Sequence, residues 1–325
     1  MVGDAKPSAM EPLLAALKAA GEPTRMRLLA LTARSELTVS DLTHILGQSQ
    51  PRVSRHLKLL CESGLLERLR EGSWVLYRIA RTGLNAPLAR TLADLVPAGD
   101  DVVEGDLMRL AAIKRQRAEA ANAYFRKNAV RWNEIRSLYV PEVDVERVLE
   151  DLVAKRPAHD MLDVGTGTGR MLELFGPRVA NATGIDLSRE MLALARANIE
   201  RLGLDNCQVR LADMYSLPLA EASIDLVTYH QVLHFAEEPA AAISDGARVL
   251  RPGGQLIVVD FAPHDIESLR EEHAHRRLGF ADPEVAEWCA AAGLKPERPI
   301  HLEGNPLTVT IWTAVKPSAT RGRRP

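Results

Sequence analysis

Apolar positions recur along this chain with two different periods, and each change of period marks a change of element. Up to about residue 62 they return every three or four residues, the spacing of amphipathic helices. Residues 11–20 read as an apolar helix stopped by Gly21, and Pro23 opens a second over 24–34. Residues 40–47 predict a short helix ending at glycine. After Gln48 and the cap residue Ser49, residues 50–64 predict another, with Val53, Leu57 and Leu60 on its buried face. Stretches 65–70 and 74–79 alternate with period two around Glu71-Gly72-Ser73 and predict a hairpin. A helix over 84–95 follows, then a polar, turn-rich stretch, 96–101, expected to be a linker. Residues 107–138 predict one long charged helix or a pair, and 142–154 a further helix.

From residue 159 strand and helix patterns alternate. Strands are expected at 159–164, 179–185, 209–212, 224–229 and 255–261, with helices between. Right-handed crossovers turn such an order into a doubly wound sheet whose ligand crevice lies at the carboxyl ends of the strands. A helix over 283–292 and strands over 294–302 and 307–315 complete it. The expected fold class is α/β, a winged helix-turn-helix domain followed by a Rossmann-like doubly wound domain of seven strands.

The stretch MLDVGTGTGR, residues 161–170, is the sharpest signal in the chain. Apolar residues run into Asp163, glycines stand at Gly165, Gly167 and Gly169, and a helical pattern follows. Glycine suits a strand-turn-helix corner because it accepts positive φ and lets main-chain amides close on a ligand. Two later acids add to it. Asp186 ends the next strand, where an acid can accept both hydroxyls of a ribose, and Asp213-Met214 ends the third, suited to an adenine amino group and the adenine face. Arg170 stands where a dinucleotide fingerprint has its last glycine, which argues against a nicotinamide cofactor.

The set Asp163, Gly165, Gly167, Gly169, Asp186 and Asp213-Met214, with Arg248-Val249-Leu250-Arg251-Pro252-Gly253-Gly254 before the next strand, resembles the class I S-adenosylmethionine-dependent methyltransferases, in the branch of ubiquinone/menaquinone-type and other small-molecule enzymes. The resemblance covers about residues 118–315. It implies S-adenosylmethionine as cofactor, S-adenosylhomocysteine as product, and cofactor contacts from Asp163, Gly165, Thr166, Gly167, Gly169, Asp186, Leu187, Asp213, Met214 and His230. It also implies that 118–155 form a helical lid over the cleft. Tyr124, Phe125, Trp132 and Tyr139 then either line an acceptor pocket or pack the helices onto the sheet.

The first part of the chain carries different chemistry. Residues 1–95 hold 13 Lys and Arg against 9 Asp and Glu, and the remainder 28 against 34, an asymmetry that suggests a nucleic-acid partner for one half. The second of the paired short helices shows Gln50, Arg52, Ser54, Arg55 and Lys58 on its polar face, and Arg68, Arg70 and Arg78 ride on the hairpin. That is a helix, a glycine turn, a helix suited to a major groove, and a wing. The wording of ELTVSDL and SQPRVSRHLKLLCESGLLERLREGSWVLYRIA resembles the ArsR-family transcriptional regulators over about residues 10–95. The resemblance implies a homodimer on double-stranded operator DNA, with Ser49, Gln50, Arg52, Ser54, Arg55, Lys58, Arg68 and Arg70 facing it. Where the family's soft-metal sensors carry Cys-x-Cys, this chain has Thr38 and Ser40, and residues 84–95 contain no histidine. Hydroxyls are poor ligands for soft ions, so metal sensing at either familiar site is not expected.

The expected domains are therefore 1–95 (winged helix, DNA binding and dimerisation), 96–117 (linker and start of a helix), 118–316 (methyltransferase) and 317–325 (a disordered basic tail). Three cysteines, Cys61, Cys207 and Cys289, are far apart and odd in number, which fits a reduced cytoplasm, and no stretch suggests export or a membrane span. After the fourth strand of the second domain, His230 and His234 stand four apart and could share one helical face. They can line the cleft, act as general base, bond structurally or bind a metal, with no metal site expected overall. The acceptor is expected to be a small molecule. No Asn/Asp-Pro-Pro-Tyr/Phe stretch follows that strand, against amino methylation of bases or glutamine, and Cys207 and Cys289 are too few for arsenic chemistry. Three functions stay open: a regulator fused to a working methyltransferase, a regulator whose second domain only senses the cofactor, and an enzyme that uses the winged helix to dimerise.

Overall fold

The computed structural model describes residues 10–71, 74–80, 83–97, 99–128 and 142–318; of 71, 74, 117, 118 and 120–128 it describes the backbone alone. The chain falls into two compact units, Met1–Ala118 and Glu119–Pro325.

The first unit is a winged helix. Helices α1 (Met10–Ala20) and α2 (Pro23–Thr32) precede a two-residue strand β1 (Leu37–Thr38), then α3 (Val39–Leu46) and α4 (Gln50–Glu62), the hairpin β2 (Leu66–Glu71) and β3 (Trp74–Ile79), and α5 (Ala86–Asp94). β3 lies between β1 and β2, antiparallel to both. Helix α3 starts where it does because Thr38 and Asp41 form a reciprocal capping box, and it ends at Gly47, whose φ of 64° only glycine adopts without strain. Ser49 stands at the cap position of α4, but its side chain makes no capping hydrogen bond, contrary to expectation; Pro51 in the first turn pre-sets the helical backbone instead. Leu28, Leu31, Leu37, Leu42, Ile45, Val53, Leu57 and Leu60 are fully buried in one cluster. Each fully buried leucine stabilises by about 2 kcal/mol.

A long helix, α6 (Asp101–Asn128), begins earlier than the hydrophobic period predicts. The cause is Asp100, whose Oδ1 accepts from the N–H groups of Val102 (3.0 Å) and Val103 (3.1 Å) and so satisfies two amides of the first turn. Leu107, Leu110 and Ile113 of this helix then pack on the winged-helix core. Asp106, only 1% exposed, is gripped by Arg27 at 2.6 and 2.8 Å and by Arg109 at 2.7 Å. Trp132 and Tyr139 lie outside the described residues, as do the side chains of Tyr124 and Phe125 and the turn residues Gly72 and Ser73.

The second unit is a mixed sheet in the order β10-β11-β8-β7-β4-β5-β6, with a further short strand, β9, on β11. In chain order these are α7 (Glu142–Lys155), β4 (Asp160–Val164), α8 (Arg170–Phe175), β5 (Asn181–Asp186), α9 (Arg189–Leu202), β6 (Cys207–Leu211), β7 (Ile224–His230), α10 (Pro239–Val249), β8 (Leu250–Phe261), α11 (Ser268–His273), α12 (Asp282–Ala291), β9 (Lys295–Pro296), β10 (Ile300–Leu302) and β11 (Val309–Val315). β4 through β8 run parallel, and β11 is antiparallel to β8. Along β4, Leu162 and Val164 enter one core cluster and Met161 the other, the alternation of a strand buried on both faces. The sheet has eight strands rather than the expected seven, because residues 294–302 form two short strands. Pro299 between them has no N–H to give to a ladder. β8 also starts earlier than expected: Leu250 pairs with Ile224 and Gln255 with Leu226, so residues 251–254 bulge opposite Asp225. Strand order reverses at β4, between β5 and β7, the switch point where open α/β sheets bind ligands.

Candidate functional site

Three turns at the carboxyl ends of β4, β5 and β6 make the candidate cofactor cradle. In the first, Gly165, Gly167 and Gly169 have φ of 71°, 54° and 89°. Gly165 also answers a close approach, since a Cβ there would lie 2.2 Å from Cγ2 of Val232 in the turn after β7. The turn is closed by Thr166 N–H to Ile185 O (2.8 Å) and Gly169 N–H to Thr166 O (2.8 Å). Thr166 is 5% exposed, and its hydroxyl lies on the sheet side, 2.6 Å from where a Cβ on Gly184 would stand. Asp163, 2% exposed, accepts from the Thr228 hydroxyl at 2.6 Å, which ties β4 to β7 inside the sheet.

Asp186 joins the first two turns. One carboxylate oxygen accepts from Gly167 N–H at 2.9 Å, and the other from Ser188 N–H at 2.8 Å. Burial pushes this carboxyl above its ordinary range, and those amide bonds offset part of the shift. A carboxylate has about four lone-pair sites, so acceptor capacity is left over for a ligand. Leu187 beside it is 50% exposed, an apolar surface at the mouth of the cleft. In the third turn Asp213 is exposed, its Oδ1 accepting from Tyr215 N–H at 3.0 Å, and Met214 packs against the core cluster that contains Val232 and Leu233.

His230 and His234 do not share a helical face. His230 is the last residue of β7, Gln231 adopts a left-handed φ of 49°, and His234 sits in a 3-10 turn, Leu233–Phe235. The left-handed residue ends the strand and sends the chain across the cleft, so the four-residue spacing carries no helical geometry. The two imidazoles are both buried, at 8% and 2% exposure, with different surroundings. His234 Nδ1 is 2.8 Å from Oδ1 of Asp260, a fully buried acid in β8 whose Oδ2 accepts from His234 N–H at 3.2 Å. The His234 ring stacks on His275 with centroids 3.9 Å apart. Burial lowers the pKa of His275 and brings that of His264 to about 4, so both stay neutral near neutral pH. Among the described residues, no group of three or more His, Cys, Asp or Glu is placed to hold a metal ion. Cys207 and Cys289 belong to the two different core clusters.

Asp260, His275, Tyr215 and Arg276 are site residues that local spacing does not expose, since each meets its partner from more than 20 positions away. Asp260 alone left a signal: an acid at the carboxyl end of a parallel strand, in the same place as Asp186.

On the winged helix, Gln50, Arg52, Arg55 and Lys58 of α4 are exposed, as are Ser49, Arg68 and Arg70, and Ser54 is half-buried. Among the described residues Arg52, Arg55, Arg68 and Arg70 are in no ion pair, and Lys58 meets only Glu62, at 3.7 Å. Arg78 does not join this face. It is clamped by Glu36 at 3.3 Å and Glu67 at 2.9 Å, and holds β3 to its neighbours.

Residues 22–68 match the family model for bacterial regulatory proteins of the arsR family, and residues 162–258 that for a methyltransferase domain. A ubiquinone biosynthesis O-methyltransferase of Dechloromonas aromatica is 30% identical over 207 residues, covering 57% of this chain and 86% of that protein. The chain belongs to the methyltransferase family. Within that family, a phosphatidylethanolamine N-methyltransferase of Cereibacter sphaeroides is 39% identical over 106 residues, 32% of this chain and 52% of that protein. A chain of the solved complex between the Haloferax volcanii Trm112 methyltransferase activator and a methyltransferase has the same fold, with a TM-score of 0.50, 20% identity and coverage of 59% of this chain and 97% of that one. This methyltransferase-family chain spans between about a third and just over half the length of several curated relatives it matches. Among the described residues no helix is long and apolar enough to cross a membrane.

Proposed function

We propose that this chain is an arsR-type DNA-binding regulator joined to an S-adenosylmethionine-dependent methyltransferase that acts on a small molecule. The observation that carries the second half is the closed glycine turn, with Gly167 N–H held on the carboxylate of Asp186 at 2.9 Å and Val232 packed directly against Gly165. A nucleoside with an amino-acid tail fits this donor set. Asp186 accepts ribose hydroxyls, Asp213 accepts an adenine amino group with Leu187 and Met214 on the ring faces, and the side-chain-free turn admits the tail close to the main chain. When bound, S-adenosylmethionine supplies a methyl group on a sulfonium, a leaving group already activated.

The residues of the chain then align and dry the site and take the acceptor's proton. His230 at the end of β7 lines the cleft. His234 is the base: Asp260 accepts its Nδ1–H and fixes the tautomer that leaves Nε2 a lone pair. Each cation around this turn is matched by a carboxylate, Arg276 by Glu237 and Arg277 by Glu284, which favours an uncharged acceptor. Relatives named for ubiquinone biosynthesis O-methylation and phosphatidylethanolamine N-methylation support a small-molecule acceptor without choosing one.

The exposed arginines of α4 and β2, which have no ion-pair partner among the described residues, support the DNA half. The apolar face of α1, with Met10, Leu13, Leu14 and Leu17 between 38% and 58% exposed, supports a homodimer through this unit. Two titrations test the reading: S-adenosylhomocysteine into the wild type and Asp186→Ala by calorimetry, and a duplex from the protein's own upstream region by anisotropy at rising salt. Saturable cofactor binding lost in Asp186→Ala, with salt-dependent duplex binding, is expected. If the folded wild type binds neither ligand, the proposal fails.

A further inference from the structure

The loop after β6 and the turn that carries His234 are joined by one side chain. Tyr215 directly follows Asp213-Met214, and its phenolic oxygen accepts from two successive amides, Glu237 N–H at 2.7 Å and Glu238 N–H at 3.1 Å. Two lone pairs meet two donors, so the oxygen's accepting capacity is filled. Burial raises the pKa of this phenol, which keeps it a neutral hydroxyl. The chain of contacts continues from there. The Glu237 carboxylate pairs with Arg276 at 2.6 and 2.7 Å, and the N–H groups of Arg276 and Arg277 donate to the carbonyl of His234 at 2.9 and 3.0 Å. The imidazole of that same residue is held by Asp260.

The far end of the same loop is fixed independently. Leu217 N–H donates to Asp245 at 2.6 Å, and Arg248 holds the carbonyls of Leu217 and Leu219 at 3.0 and 2.9 Å. A displacement of Asp213-Met214 is therefore passed on at the near end, through Tyr215. We propose that Tyr215 is a positioning residue that couples seating of the adenosine moiety to the placement of His234. The inference rests on the cofactor reading above. It adds that the His234 turn is set by cofactor occupancy, so that the base is in register only when the methyl donor is in place. Phenylalanine at 215 would keep the ring and remove the acceptor. The two freed amides lie in half-buried residues, where water can reach them, and the fold is expected to survive.

The test is nitrogen and proton magnetic resonance of the full chain labelled with 15N-histidine, with S-adenosylhomocysteine as the probe and His234→Gln to assign the signal. In the wild type the ligand is expected to shift the His234 Nδ1–H resonance, while His301 of β10, which pairs with Asp282 at the start of α12, stays still. In Tyr215→Phe the ligand should bind within about threefold of wild-type affinity, and the His234 shift should be lost. Arg276→Gln cuts the same chain one link further on and must lose the shift too; it decides the matter if Tyr215→Phe does not fold. A wild-type-sized shift in either folded variant overturns the coupling, as does ligand binding with no His234 shift in the wild type. If the wild type does not bind the ligand at all, the cofactor reading itself has failed and the coupling falls with it.

Discussion

The exposed arginines of the winged-helix face and the clamped arginines of the methyltransferase unit are used in opposite ways. In the winged helix Arg52, Arg55, Arg68 and Arg70 stand on an exposed face with no carboxylate partner among the described residues, whereas several arginines of the methyltransferase unit are clamped. Arg170 holds Glu146 and Glu173, Arg276 holds Glu237, Arg248 holds Asp245, and Arg251 bridges Asp160 and Asp225. A cation whose bonds are filled by the fold fixes geometry; one left in solvent has its charge available to a phosphate. The same residue type thus serves as architecture where it is clamped, as at Arg27 and Arg78 of the first unit and Arg170 of the second, and as a ligand surface where it is not.

The largest expected effect comes from removing the free cations. Arg52→Ala with Arg55→Ala should weaken duplex binding by about 100-fold at physiological salt and reduce the salt slope by about 2, since each phosphate contact contributes about 0.9. Stability should stay within about 0.5 kcal/mol, because neither side chain is packed or paired. Anisotropy against salt, with urea unfolding alongside, measures both. Loss of stability without loss of DNA binding would reverse the contrast between the units.

Next in size is a clamped cation. Arg170→Ala leaves the mostly buried Glu146 carboxylate between α7 and α8 without its partner, and should cost about 2 kcal/mol in urea unfolding.

Acid should do the same to this unit by adding cations. His264 is held at about 4 and His275 below its ordinary value, both by burial, whereas an unfolded imidazole titrates near 6.5. The unfolded chain therefore takes up protons first as pH falls. Stability present above about pH 6.5 is lost on the way toward pH 4. Unfolding at pH 7.5 and pH 5 should show the loss in wild type, and a smaller one in His275→Phe. The smallest effect is that of Lys58→Ala, which breaks an exposed pair with Glu62. It should change stability by less than about 0.5 kcal/mol and lower the DNA salt slope by about 1.

What could be read along the chain was what folds locally. The glycine turn, Asp186 and Asp213 announce themselves because strand, turn and helix succeed one another in sequence, and α4 shows its buried and exposed faces by period alone. Chemistry that depends on distant partners stayed hidden. Asp260 meets His234 from 26 positions away, and Arg276 meets Glu237 from 39. The His230/His234 spacing pointed to a helix that does not exist, because Gln231 turns left-handed at the end of β7. Ser49 has the composition of a cap without making the bond, and Asp100, read as linker, is the residue that starts α6.

Hydrogen exchange of the full chain, read peptide by peptide with S-adenosylhomocysteine and with duplex DNA, tests the division of labour most directly. S-adenosylhomocysteine is expected to slow exchange at residues 165–169, 186–188 and 213–215, the three turns at the carboxyl ends of the strands, and DNA to slow it across α4. The amino ends of the same strands border a cleft of about 470 Å³ lined by residues that include Asp160, Asn181, Asn206 and Arg251. Protection there by S-adenosylhomocysteine, or at none of the three turns, would contradict the account.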